Sequence, residues 1–169
     1  MKLLVNGLVK LICGIALVDL LVFLPAGTMN YLNGWLLCAL LFVPMLILGA
    51  VLFLKAPDLL KKRLDTKEKE KKQKGVVAFS GLIFLAGFII AGLDHRFSWT
   101  KVHMAVVVVA SVLFLLSYAL YAEVMRENVY LSRTIKVHEG QKVVSTGLYG
   151  IVRHPMYMAT VVMFLSIPL

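Results

Sequence analysis

Four apolar stretches, each approaching the ~20 residues that cross a bilayer as a helix, restrict the fold of this chain more than any other feature. They lie at Leu3–Leu24, Leu32–Leu54, Val76–Leu93 and Val102–Val124. Because 60% of the residues are hydrophobic, a soluble domain of this length would leave much of that apolar surface in water. The sequence therefore predicts an all-α, multi-pass transmembrane helix bundle with four full spans.

A fifth apolar run begins near Met156 and reaches Leu169. At ~1.5 Å per residue it is too short to cross the hydrocarbon layer. We therefore predict an incomplete fifth apolar helix, with residues 158–169 as its start. We expect the parent protein to continue beyond this point, or another protomer of an oligomer to complete the helix.

The distribution of basic residues predicts the organisation of a single membrane domain, 1–169. Its parts are two N-terminal spans (1–54), a basic loop (55–75), two further spans (76–124), a polar segment (125–157) and the start of the last helix (158–169). Both basic stretches should be cytoplasmic, because Lys and Arg are enriched in cytoplasmic loops. The N-terminus is then cytoplasmic as well.

The basic loop, 55–75, explains much of the net charge of +9 without nucleic acid, because its charges flank a span and no aromatic residues lie among them. Pro57 suits the start of a short helix beside the membrane. A solvated connector that sets topology is one interpretation of the loop. Attraction to anionic lipid headgroups is the other.

Small and polar residues inside the spans predict packing and topology rather than chemistry. Gly87 and Ala91 lie one helical turn apart and predict a close helix contact. Lys10 and Asp19 lie toward opposite ends of the first span, where each side chain reaches an interface. The His, Cys, Asp and Glu residues do not have the spacing of metal ligands, so we predict no metal site.

The end of the fourth span carries polar residues on two stripes, and two interpretations stay open. One is an interfacial aromatic belt with a charged helix end, and the other is the wall of a pocket. At helical spacing, one face carries Tyr118, Tyr121, Met125 and Asn128, and the neighbouring stripe carries Glu123 and Glu127.

The segment that follows, from Val137 to Tyr157, is polar, and its glycines permit tight turns. Pro155 suits the first turn of a helix, where amide groups left unpaired favour anionic ligand groups. His154 and Tyr157 add hydrogen-bonding capacity. These residues alone fit either interfacial anchoring or the binding of a small charged ligand.

The order of residues in Gly147–Tyr157, GLYGIVRHPMY, resembles the Gly-x-Tyr-x-x-x-Arg-His-Pro-x-Tyr signature of isoprenylcysteine carboxyl methyltransferases and related phospholipid methyltransferases. Upstream, Glu127-Asn128, Arg133-Thr134 and Gly140–Val144 resemble the same region of bacterial members. The resemblance covers about thirty residues, and the rest of the chain is similar only as a set of apolar helices.

The resemblance implies that S-adenosylmethionine binds on the cytoplasmic side. The residues that would surround the cofactor are Gln141, Lys142, Val143, Val144, Tyr149, His154, Pro155, Met156 and Tyr157. Arg153 would anchor the loop or a carboxylate rather than act as a base. The family's downstream helix, which carries an Arg for the acceptor and a Glu-rich pair for the cofactor, does not occur in this sequence, so we expect half of the site to be missing.

The resemblance further implies an enzyme of a bacterial inner membrane that methylates a lipophilic acceptor by direct displacement. A prenylcysteine carboxylate and a phospholipid amine are both compatible with the sequence. Two interpretations from other classes also stay open, namely a non-catalytic membrane scaffold and a small transporter subunit.

Overall fold

The computed structural model describes residues 2–64, 71–128 and 144–167. Within these ranges the regular elements are all helices, which confirms the all-α prediction. They are α1 (Lys2–Ala26), α2 (Leu32–Lys55), α3 (Pro57–Leu64), α4 (Lys71–Phe97), α5 (Met104–Glu127), α6 (Leu148–Ile151) and α7 (Pro155–Leu165).

Helices α1, α2, α4 and α5 are each long and apolar enough to cross a membrane, whereas α7 is apolar but has only 11 residues. The predicted four spans and shorter fifth helix are therefore confirmed, and the chain is a multi-pass membrane protein. Large apolar side chains such as Leu24, Leu54 and Phe79 are more than half exposed. A bilayer accepts such a surface, but water does not.

Helix α3 begins at Pro57, as the sequence predicted for the start of the basic loop. It follows α2 after Ala56, whose backbone N–H donates to the Leu52 carbonyl at 2.8 Å and whose carbonyl accepts from Leu60 N–H at 3.1 Å. Leu59 is buried on one side of α3. The first part of the predicted loop is therefore an ordered helix.

The chain divides into two compact units. One comprises Met1–Phe42 and Lys67–Val102, and the other comprises Val43–Thr66 and His103–Pro168. The boundary passes through α2. The organisation as a single membrane domain stays a prediction.

In the first unit, α4 packs closely on α1 at Gly92. A Cβ at Gly92 would lie too close to the backbone carbonyl oxygen of Val22, and it would lie 3.1 Å from the backbone nitrogen of Ala26. Val22 and Ala26 are themselves buried. A glycine is therefore needed for the two backbones to approach at this point.

The sequence prediction for this contact was right for Ala91, which is buried, and wrong for Gly87. Gly87 is exposed, and a Cβ there would meet nothing within 4 Å. Gly87 lies five residues before Gly92, or roughly 140° around the axis of a helix with 3.6 residues per turn. It therefore lies on a different side of α4 from the glycine that meets α1.

The polar side chain of Asp19 joins α1 to α2 within the first unit. Its Oδ1 accepts a hydrogen bond from the Cys38 thiol at 3.1 Å, and Asp19 is half-buried. A carboxylate within a membrane-spanning helix is costly unless a donor meets it. The contact gives this carboxylate a partner.

Aromatic rings pack together around the turn between α1 and α2. The Tyr31 ring stacks on His95, with centroids 4.0 Å apart and planes 14° apart. The Phe23 and Trp35 rings are 4.6 Å apart, and Trp35 Nε1 donates to the Met29 carbonyl at 2.9 Å. The first contact connects the end of α4 to the turn before α2, and the second connects α1 to α2.

We expect the Tyr31→Phe protein to lose less thermal stability in alkaline solution than the wild type. Burial, and secondarily the charge of Asp94, raises the pKa of the Tyr31 phenol above its usual 10.0. The Tyr31 phenol therefore loses its proton at a lower pH in the unfolded chain than in the folded protein. The stabilisation that is present below pH 10 is consequently lost as the pH rises through the pKa of Tyr31 in the folded protein. Melting curves from pH 8 to 11 measure the difference.

Tyr157→Phe is the matched control, because the Tyr157 side chain is 68% exposed. This variant should follow the wild-type decline. Parallel declines for the wild type and Tyr31→Phe would contradict the prediction.

In the second unit, α7 packs on α5. Pro155 and Ala159, one turn apart, are the buried residues of α7. The buried residues of α5 from Val107 to Ser117 recur at intervals of three and four, as expected for one face of a helix, and Val124 continues that face two turns later. All the buried residues of α5 are Val107, Ala110, Phe114, Ser117, Val124 and Met125. This face leads to the polar residues at the end of α5.

Candidate functional site

The last residues of α5 contact the signature segment, which we define as Gly147–Tyr157. The Glu127 carboxylate accepts from the backbone N–H of Leu148, at 3.0 Å to Oε2 and 3.3 Å to Oε1. Asn128 Nδ2 donates to the Tyr149 hydroxyl at 3.0 Å. Two neighbouring side chains therefore hold two neighbouring residues of the segment.

The turn at Gly147 depends on the absence of a side chain. Its φ of 53° and ψ of −126° lie in a region that L-residues rarely adopt. A Cβ at this position would overlap the Glu127 carboxylate. Gly147 thus lets the chain turn and lets Glu127 reach Leu148 N–H at the start of α6.

Helix α6 is a single turn that presents Tyr149 to α5. Gly150 N–H donates to the Gly147 carbonyl at 3.1 Å, and Val152 N–H donates to the Leu148 carbonyl at 2.9 Å. Tyr149 is half-buried. Its ring position is therefore set by α6 on one side and by Asn128 on the other.

The Arg-His-Pro-x-Tyr part of the signature segment opens α7. Pro155 lies in the first turn and is buried against protein, whereas Arg153 and His154 are exposed. The ring centroids of His154 and Tyr157 are 5.4 Å apart. His154 stands at the N-cap of α7 but makes no side-chain capping bond, so its imidazole is not used to cap the start of the helix.

This division follows from helical geometry. Pro155 and Ala159 are four residues apart and both face α5, while Tyr157 lies between them in sequence and therefore on the far side of α7. The polar side chains of Arg153, His154 and Tyr157 consequently lie on the exposed side of a fixed backbone. A guanidinium, an imidazole and a phenol there can bind a small polar ligand that carries an anionic group.

The predicted site residues fall into three groups. Tyr149, His154 and Tyr157 lie in or beside the contacts above, and in the first turn of α7 Met156 is half-buried and Pro155 is buried. Val144 is half-buried three residues before Gly147. Gln141, Lys142 and Val143 lie outside the described residues.

The face predicted at the end of α5 is partly inside the protein. Met125 is buried, and Tyr118, Tyr121 and Asn128 are half-buried. Asn128 meets the signature segment, which favours the interpretation of this face as a wall beside that segment over a simple interfacial belt.

Two contacts of the second unit were not predicted from the sequence. Glu127 was assigned only to a neighbouring stripe, yet its carboxylate is the acceptor for Leu148 N–H. The guanidinium of Arg63 in α3 lies over the Tyr121 ring, 5.1 Å from the centroid. The only signal for the contact of Glu127 was that Glu127-Asn128 and Gly147 belong to the same stretch that resembles the methyltransferase family. Nothing in the sequence indicated the contact between Arg63 and Tyr121.

Comparisons of the chain with protein families, with curated proteins and with solved structures find no match.

Proposed function

We propose that this chain is an integral membrane S-adenosylmethionine-dependent methyltransferase that acts on a lipophilic acceptor. The observation that carries the proposal is the attachment of the signature segment to α5 through Glu127 and Asn128. This attachment fixes the backbone from which Arg153, His154 and Tyr157 project. A resemblance in sequence is thus supported by an ordered arrangement of the same residues.

The residues present fit the chemistry of the cofactor. The Arg153 guanidinium suits a carboxylate, His154 and Tyr157 suit hydroxyl or amine groups, and the half-buried Met156 offers apolar contact. Tyr149 would form the inner wall, and Pro155, which is buried against protein, would fix the start of α7 behind it. Gln141, Lys142, Val143 and Val144 would add contacts through the chain before the turn. When bound, S-adenosylmethionine supplies an activated methyl group.

The roles of the chain's residues are binding and orientation rather than acid–base chemistry. A carboxylate acceptor has no proton to lose, and an amine acceptor would release its proton to solvent, so Arg153 and His154 need only hold charged groups in fixed positions. Pro155 and Ala159 keep α7 against α5, and the first turn of α7 keeps His154 beside Tyr157. Displacement reactions gain most from such fixed alignment of the reacting groups.

The surroundings of the site support a lipophilic acceptor. Val161, Phe164 and Leu165 of α7 are about half exposed or more, although they are apolar. An acceptor that reaches this side of α7 therefore travels along an apolar surface. A prenylated cysteine carboxylate and a phospholipid amine both meet this requirement.

We further propose that the signature segment is cytoplasmic, as charge asymmetry across the spans supports. The ends of α2 and α5 are followed by Lys61, Lys62, Arg63 and Arg153, whereas the opposite side has Arg96 in the last turn of α4 and Lys101 between α4 and α5. In intact bacterial cells, a membrane-impermeant amine reagent should therefore modify Lys101 and spare Lys61. Modification of Lys61 alone would reverse the proposed orientation.

Calorimetry with S-adenosylmethionine tests the proposed function. We expect the purified chain to bind the cofactor and His154→Ala to bind it at least about tenfold more weakly, a difference of about 1.4 kcal/mol. His103→Asn is the matched control, because His103 caps α5 through Ala105 N–H and asparagine is also a good N-cap.

Three outcomes decide between the interpretations. Binding that is weakened only by His154→Ala supports the enzyme, and transfer of labelled methyl to a lipid extract then identifies the acceptor. Binding without transfer to any prenylcysteine or phospholipid favours a scaffold that retains the cofactor segment. An absence of binding by the wild-type chain contradicts the proposal.

A further inference from the structure

The first unit contains a charged group that the proposed methyltransferase activity does not use. Asp19 lies within α1, seven residues before the helix ends at Ala26, or about 10 Å along the axis at ~1.5 Å per residue. The residues that follow it, Leu20–Leu24, are all apolar. The carboxylate is therefore inside a membrane span, where acidic side chains are rare and mark functional sites.

The hydrogen bond from Cys38 satisfies only part of the Asp19 carboxylate. A thiol is a weak and uncharged donor, and it meets Oδ1 at 3.1 Å. Within the residues that the structure describes, Oδ2 accepts no hydrogen bond and Asp19 forms no salt bridge. Asp19 can therefore accept a further donor, and the described part of the chain does not offset its negative charge.

A cavity of about 600 Å³, which we call the α1 groove, runs along the face of α1 that carries Asp19. It extends from Ala16 to the turn at Gly27, and its lining residues on α1 recur at the spacing of three and four that defines one face of a helix. Asp19 and Phe23 both line it. The groove is open at its side, since the lining residue Leu20 is 57% exposed. A molecule in the bilayer can therefore reach the Asp19 carboxylate.

The lining of the α1 groove defines the chemistry of a ligand. The Asp19 carboxylate is its charged side chain, Thr28 has a hydroxyl, and the other lining side chains are apolar. This combination matches a molecule with an apolar body and one positive charge. An ammonium group can donate to Oδ2 and offset the negative charge. Phe23, one turn further along the same face, adds an aromatic ring, which also favours a cation.

We propose that the α1 groove binds lipophilic ammonium compounds, with the Asp19 carboxylate holding the ammonium group. This proposal is independent of the proposed methyltransferase function, because the groove belongs to the first unit and the signature segment belongs to the second. A free alkylamine and the headgroup amine of phosphatidylethanolamine share the required chemistry.

Titration calorimetry on the whole purified chain in dodecylmaltoside micelles tests the proposal, with empty micelles as the blank. The probes are octylammonium, octanol and octanoate, which share an apolar chain and differ in charge. We expect the wild type to bind octylammonium at least about tenfold more tightly than either other probe, because a hydrogen bond between charged groups is worth that much. Asp19→Asn keeps the side-chain shape and should remove this preference. Equal affinity of the wild type for all three probes would overturn the proposal.

Cys38→Ala and Asp58→Asn are the matched controls. Cys38→Ala removes the donor to Asp19 but keeps the carboxylate, and Asp58→Asn removes a carboxylate that is exposed on α3. Both variants should keep the preference for octylammonium. An equal loss in Asp19→Asn and Cys38→Ala would leave Asp19 with the role of joining α1 to α2 and would refute the binding site.

Ala16→Trp keeps the proposal testable if Asp19→Asn does not fold. It leaves Asp19 and Cys38 in place and fills the α1 groove beside them. Ala16 is exposed, so the larger side chain does not enter the protein core. Octylammonium binding should weaken about tenfold or more in this variant. Unchanged binding would contradict the proposed location.

Competing lipids identify the source of the ammonium group. Phosphatidylethanolamine and phosphatidylglycerol are added separately to the wild-type chain with octylammonium bound. Displacement by phosphatidylethanolamine alone would support the proposal with a lipid headgroup as the ligand, and no displacement by either lipid would support it with a free amine. Equal displacement by both lipids would show that the groove selects apolar chains rather than charge, which would overturn the proposal.

Discussion

Gly92→Ala is expected to melt several degrees below the wild type, because the new methyl group has no space between α4 and α1. Its Cβ would lie too close to the Val22 carbonyl oxygen and 3.1 Å from the Ala26 nitrogen, and both are backbone atoms that cannot rotate away. The helices must therefore separate. Overpacking of a well-packed contact costs about 1–3 kcal/mol. Thermal unfolding in detergent, followed by circular dichroism, measures the loss.

Gly87→Ala provides the matched control on the same helix. A Cβ at Gly87 meets nothing within 4 Å, and alanine favours the helical backbone by about 1 kcal/mol relative to glycine in water. The melting temperature of this variant should equal or exceed that of the wild type. Equal melting temperatures for Gly92→Ala and Gly87→Ala would show that α1 and α4 do not pack as described.

Gly147→Ala is expected to destabilise the signature segment and to abolish cofactor binding. The residue has a φ of 53°, and an L-residue in such a region costs on the order of 1–3 kcal/mol. The new Cβ would also overlap the Glu127 carboxylate, so the hydrogen bond from Leu148 N–H to that carboxylate would break. Titration calorimetry with S-adenosylmethionine and a melting curve measure the two effects.

Two variants separate the turn from its acceptor. Glu127→Gln keeps the side-chain shape and one acceptor oxygen, so it should weaken cofactor binding less than Gly147→Ala. Gly49→Ala, in the same unit, should behave as the wild type, because nothing lies within 4 Å of a Cβ there. Wild-type melting by Gly147→Ala would contradict the described turn.

The melting and binding results for Gly147→Ala address different claims. Reduced stability tests the contact between the turn and Glu127, whether or not the chain is an enzyme. If the other helices of Gly147→Ala still fold, the loss of cofactor binding tests the proposed role of the signature segment. A destabilised variant of a chain that never binds the cofactor would keep the described site and contradict only the function.

The number and approximate position of the spans could be predicted from the sequence alone. Hydropathy is a local property, and the thickness of a bilayer sets the length that each apolar stretch must reach. The start of α3 at Pro57 and of α7 at Pro155 was also predictable, because proline is tolerated in the first turn of a helix. These features depend only on neighbouring residues.

The tertiary structure alone decided which faces of these helices meet. A helix that is apolar all round has no hydrophobic stripe to mark its contact face, so Gly87 and Gly92 could not be distinguished by pattern. The bond from Asn128 to Tyr149 joins residues 21 apart, and so does the bond from Leu148 to Glu127. Such pairs form only when the chain reverses, and spacing along one helix cannot predict them. The residue types of the site were readable from the sequence, and their pairing was decided by the packing of α7 on α5.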